Sequence, residues 1–220
     1  MPDLNEWGEG SIMLNDNTEL KGMIRYNDRT RVVSYESGSI NRSFNARSIQ
    51  GFEFFDDRTQ RQRVFFTRSF EDDETGLIKP AFFEVLQDLN SFVVLSLLDQ
   101  PEVKVRKNSS LAPAPGSGFS STPGMSSNTT VFRRIETVYI LTASGEIQPF
   151  MKITQKISEG IIFDREKKKK RFVDKHLFDQ YFVEPGYSKM IEYAEANDLE
   201  FSEKEDFIKI LEEYRRVMAE

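Results

Sequence analysis

The chain has no cysteine. Disulfides, thiolate nucleophiles and thiolate metal sites are therefore excluded. It has a single histidine, His176, so neither a histidine cluster for zinc nor a facial triad can be assembled. No stretch approaches the roughly 18 consecutive apolar residues that a membrane-crossing helix needs, so no transmembrane segment is expected. Phosphate-cradling glycine motifs are missing too. Gly8 and Gly10 fit neither a nucleotide-loop nor a dinucleotide pattern. A basic excess is also absent. The net charge of −6 supplies little of the field that general nucleic-acid binding requires. These absences imply no cofactor and a non-catalytic chain. Only paired carboxylates survive as a catalytic arrangement that sequence leaves open.

What the chain does have is phenylalanine, 19 in 220 residues. Rings of that size can fill a substantial core, and a chain of this length can bury roughly 70% of its unfolded surface. The organising stretch is Gly8 to Phe55. Leu20, Gly22, Ile24 and Tyr26 share one face while Lys21 and Arg25 share the other, a period of two rather than 3.6. Phe52 and Phe54 alternate with Glu53 in the same way. Strands are expected at Ser11–Leu14, Glu19–Tyr26, Arg31–Ser37 and Ser48–Phe55, separated by turn residues such as Asn15-Asp16-Asn17. With no helix between them they should pair antiparallel as a meander. Trp7 is expected to pin the first strand.

Further strands are expected at Arg61–Phe66, Ala81–Leu86 and Ser91–Leu98, the last apolar on both faces like a central strand. Val103 and Val105 read as a separate edge strand behind Pro101. Through residue 70 there are nine arginines and one lysine against ten acids. That balance reads as cross-strand charge pairs on a solvated face. Glu71-Asp72-Asp73-Glu74 lacks the spacing of a calcium loop and reads as a solvated turn. Residues 108–130 are rich in Ser, Pro and Gly, cannot bury enough apolar surface to offset ordering, and read as a disordered loop interrupting one β-body. Val131–Leu141 and Ile147–Phe150 then form a hairpin around Thr142–Glu146.

The tail changes period. Helices are expected at Asp174–Phe182, at Ser188–Asn197, and from a capping box at Ser202 and Glu205 through Phe207, Ile210, Leu211, Tyr214 and Met218. The expected fold is mainly β (α+β). An antiparallel meander forms a sandwich or barrel-like body over residues 1–107 and 131–163. A basic segment and a helical tail of two or three short helices follow at 164–220.

The hairpin Tyr139-Ile-Leu-Thr-Ala-Ser-Gly-Glu-Ile-Gln-Pro-Phe150 resembles one found in a group of uncharacterised cell-envelope proteins of bacteroidete-type bacteria. The opening Gly10–Ile24 segment, Phe82–Leu86 and the tail from Lys189 to Tyr214 fit the same pattern. The resemblance implies export to the envelope or periplasm and brings no activity with it. The N-terminus shows no basic region followed by an apolar one, so an envelope location requires that a leader has been trimmed; otherwise the chain is cytoplasmic. The Ser/Pro/Gly insert departs from the pattern.

One charge run stands out: Arg165, Lys167, Lys168, Lys169, Lys170 and Arg171. It reads as a patch for an anionic partner, or as a face turned toward the acidic tail, where residues 171–220 hold thirteen acids and seven bases. The functional expectation is an envelope protein with a binding or structural role toward a protein or a glycan. The alternative is a nucleic-acid-binding module. Gly10–Phe55 resembles an Sm-like small barrel, with Gly22 on a bent strand.

Overall fold

The computed structural model describes residues 7–28, 30–71, 76–107, 128–159 and 169–219; for 99–107, 128–134, 154–159 and 169–172 it describes the backbone. Among the described residues eleven strands form one sheet: β1 (Gly8–Leu14), β2 (Glu19–Asn27), β3 (Val32–Ser37), β4 (Ile40–Phe44), β5 (Ile49–Asp56), β6 (Arg61–Glu71), β7 (Ile78–Asp88), β8 (Phe92–Lys107), β9 (Asn128–Thr142), β10 (Ile147–Glu159) and β11 (Lys169–Val173). Three helices follow: α1 (Lys175–Tyr181), α2 (Gly186–Ala196) and α3 (Lys204–Ala219). The sheet order is β11-β10-β9-β8-β7-β6-β5-β1-β2-β3-β4, and every pairing is antiparallel. The meander and the helical tail match expectation. The sheet is not closed, so the body is neither a sealed barrel nor two separate sheets.

Instead, it curls twice. In the N-terminal half, the β2–β3 turn reaches back over the sheet, and Arg31 Nη2 donates to the Leu98 carbonyl of β8 at 2.9 Å. In the C-terminal half the curl is toward the opposite face, where Arg68 Nη2 of β6 donates to Gly145 O in the β9–β10 turn at 2.5 Å. Each curl encloses a core. Ile12, Ile24, Tyr26, Val33, Tyr35, Ile49, Phe52, Phe54, Phe65 and Phe82 fill the first. Ala81, Phe83, Leu95 and Leu97 are buried in the second, under a rim that includes Phe66, Phe70 and Tyr139. A third core forms where the helices cover β7 to β10 on the same face as the first, around Phe92, Val94, Val138, Ile140, Phe150, Phe207 and Leu211.

The tight first curl has a backbone cause. Gly10 of β1 faces Gly22 of β2 on one side and Phe54 of β5 on the other. A Cβ at Gly10 would lie 1.9 Å from the Glu53 carbonyl oxygen, and one at Gly22 would lie 2.5 Å from that of Glu36. Only strands without side chains at these crossings can approach so closely.

Several expectations are corrected. β4 was not anticipated. Val103 and Val105 belong to the same long strand as Phe92–Leu98, whose register with β9 shifts between Asp99 and Glu102, and not to a separate edge strand. The two ends of the Ser/Pro/Gly segment are the ends of paired strands, Lys107 opposite Asn128; residues 108–127 lie outside the described residues, as do 72–75 of the acidic turn. The second helix, expected from Ser188, begins at Gly186. Met218 is 44% exposed, while the rest of the α3 stripe is buried.

Ser202 does not cap α3. Its hydroxyl donates to the Glu200 carboxylate at 3.0 Å, and the helix begins at Lys204. Asp174 does cap α1, accepting from the amides of His176 and Leu177 at 3.0 and 3.2 Å. Asp174→Ala should therefore lower unfolding free energy by about 1 kcal/mol. Ser202→Ala, which touches only an exposed contact, should stay within about 0.5 kcal/mol of wild type. Urea midpoints of the two variants check this pair of outcomes.

Candidate functional site

The first and third cores lie on the same face of the sheet, and a cluster of charges separates them. Alternation builds it. On β6, Arg61 and Arg63 share the face of buried Phe65; on β7, Glu84 shares the face of Phe82 and Leu86. Ser96 lies directly opposite Glu84 on β8, and Glu136 lies opposite Leu98 on β9. Lys204 arrives from the first turn of α3. A lysine there runs against the helix dipole, which Glu205 and Asp206 beside it offset.

Glu84 is the centre. Its side chain is 3% exposed, and it accepts from Arg63 Nε and Nη2 at 3.0 and 2.7 Å, from Arg61 Nη2 at 2.6 Å and from Lys204 Nζ at 2.7 Å. Lys204 also pairs with Glu136 at 2.7 Å, and Ser96 Oγ donates to the same carboxylate at 2.5 Å. Arg63 further approaches Asp56 at 3.5 Å and lies over the rings of Phe54 and Phe65 at 5.6 and 5.1 Å. At the outer rim Glu205 sits 3.7 Å from Arg58 and 3.8 Å from Arg61.

Burial alone would push the Glu84 carboxyl up. The charges of Arg63 and Lys204, the Arg63 hydrogen bonds and the charge of Arg61 outweigh it and hold the group well below the usual carboxylate range. Burial would likewise lower the Arg63 guanidinium, but the charge and hydrogen bonds of Glu84, with the charges of Asp56 and Glu205, outweigh it and hold the group above its usual value. Glu84 is thus a fixed anion, without a proton to give near neutral pH. Beside it lies a cavity of about 20 Å³ bordered by Tyr26, Asp28, Arg63, Ser96 and Lys204, room for about one water. Burial pushes the Tyr26 hydroxyl up, so it stays neutral there.

The arginines expected on a solvated face are therefore corrected. Arg61 and Arg63 turn inward because Glu84 waits across the β6–β7 ladder to receive them. The sequence did carry a signal: charged residues whose neighbours two positions away are buried phenylalanines or leucines. Of the basic run, Lys169, Lys170 and Arg171 enter β11, their backbone paired with Gln155, Thr154 and Ile153 at the far edge of the sheet. Their side chains, and Arg165, Lys167 and Lys168 altogether, lie outside the described residues. His176 is exposed on α1. Among the described residues no three acidic or histidine side chains converge in a metal-holding group, and no helix is long and apolar enough to cross a membrane. No family model, curated protein or solved structure matches the chain.

Proposed function

We propose that the chain is a non-catalytic protein of the cell envelope with a binding or structural role toward another protein or a glycan. The observation that carries this reading is Glu84. Strongly shifted buried carboxylates mark either catalytic sites or structural ion networks. Glu84 has three cations in direct contact and a neighbouring cavity of about 20 Å³, too small for a substrate. Its charge is consumed in joining β6, β7 and α3. The envelope location rests on the sequence resemblance.

The test is complementation of a strain lacking the gene with the double variant Arg63→Met/Glu84→Leu. Removing one cation and one anion together keeps the cluster balanced, and apolar replacement of a buried pair is often neutral for stability. A variant with wild-type circular dichroism that restores the deletion phenotype, with wild-type protein in the envelope fraction, supports the reading. A folded variant that fails to restore it, or wild-type protein in the cytosol, overturns it.

A second reading has one observation in its favour. β5 returns to pair with β1, giving the local order β5-β1-β2-β3-β4, a small curled meander with Gly22 on β2 that fits the Sm-like resemblance of Gly10–Phe55. Salt-dependent RNA binding that disappears when Lys167–Lys170 are neutralised would favour it over the first.

A further inference from the structure

β4 ends the sheet, so among the described residues one row of its backbone N–H and C=O groups faces no other strand. Register places Ile40, Arg42 and Phe44 on one face, opposite Ser37, Tyr35 and Val33. That face is the core side: Val33 and Tyr35 are buried in the first core and Phe44 packs against it. Ile40 is 49% exposed, and Arg42 is exposed between it and Phe44. The edge therefore offers two apolar contacts and one cation to anything that extends the sheet.

A charge on the core side of an edge strand normally prevents strand addition, because the incoming strand would desolvate it. The block lifts when the newcomer places a carboxylate opposite it, since opposite charges directly across a ladder attract. Arg42 then acts as a gate that admits one class of strand and rejects the rest. A second copy of β4 is among those rejected. The antiparallel register that sets Ile40 against Phe44 in both directions also sets Arg42 against Arg42, and like charges directly opposite are destabilising.

We propose that the β4 edge receives an extended segment of another protein that carries an acidic residue flanked, two positions to either side, by apolar residues. The backbone supplies the pairing, Ile40 and Phe44 supply apolar contact, and Arg42 supplies the choice. This deepens the reading of the chain as a binding protein by naming the surface and the partner's chemistry.

The test uses the full chain and fluorescein-labelled alternating peptides with valine two positions either side of a central glutamate or lysine. Anisotropy at low salt should show saturable binding of the glutamate peptide, with the lysine peptide weaker by about tenfold or more. Arg42→Gln should abolish that discrimination and Arg42→Glu should reverse it. N-methylation of the peptide's ladder amides should remove binding. Equal binding of both peptides, no saturation below about 1 mM, discrimination unchanged in both variants, or a concentration-dependent dimer that forms through β4 would each overturn the proposal. Arg42 touches nothing in the Glu84 cluster, so failure here leaves the complementation result standing, and failure there leaves the peptide result standing.

Discussion

Glu84→Gln should lower unfolding free energy by about 3–5 kcal/mol, because it leaves Arg61, Arg63 and Lys204 converging on a neutral amide in the interior. The amide keeps the shape of the side chain, so the loss isolates charge. Much of the stability of an ordinary domain is at stake, since that total is only about 5–15 kcal/mol. Equilibrium urea unfolding measures it, and a midpoint equal to wild type would show that the cluster contributes nothing. The double variant Arg63→Met/Glu84→Leu should recover most of the loss, because the penalty comes from the uncompensated partner.

The same residue sets the acid limb. In the unfolded chain a glutamate takes up its proton near pH 4.3. In the folded chain Glu84 does so only at lower pH. Its contribution is therefore complete above the unfolded value and is lost as pH falls through the folded one. Wild type should weaken progressively below about pH 4.3, and Glu84→Gln should show a shallower decline over that window.

Gly10→Ala should cost about 3 kcal/mol or more, as overpacking against rigid neighbours does. The atoms its Cβ would meet are backbone: the Glu53 carbonyl oxygen at 1.9 Å and the Phe54 Cα at 2.7 Å. Neither can rotate away, so β1 must separate from β5 and the first curl must loosen. Gly38 is the control. It sits in the β3–β4 turn at φ +60 with open space around it, so Gly38→Ala carries only the left-handed penalty of about 1–2 kcal/mol. Thermal melts of the two variants should rank in that order; equal losses would mean that conformational freedom, and not close approach, explains Gly10.

Alternation was legible wherever one face is buried. Period two alone places Ile24 and Tyr26 on one face of β2, and Phe52 and Phe54 on one face of β5. It was silent for β4, whose five residues have hardly any buried side and so no pattern to read. β11 was hidden inside a run of lysines, because it joins the sheet through backbone groups that any residue provides. The charge cluster was misread for a different reason. Equal numbers of acids and bases look alike whether they pair in water or in the interior. What separates the two cases is Phe65 beside Arg63 and Phe82 beside Glu84. Lys204 could not have been assigned at all, since its partners lie on strands far away in the chain. The Ser202 cap failed because a local motif competes with other local bonds, here the Glu200 carboxylate.

Lys204 follows Glu84 by 120 residues. During synthesis the arginines of β6 can meet Glu84 early, yet its third cation, and the ammonium that Glu136 awaits, emerge from the ribosome only after six more elements have been made. Until then Glu84 lacks one of its three cations and α3 does not yet cover the centre of the sheet. A nascent chain halted before α3 should behave as an open, chaperone-bound intermediate rather than as a smaller finished protein.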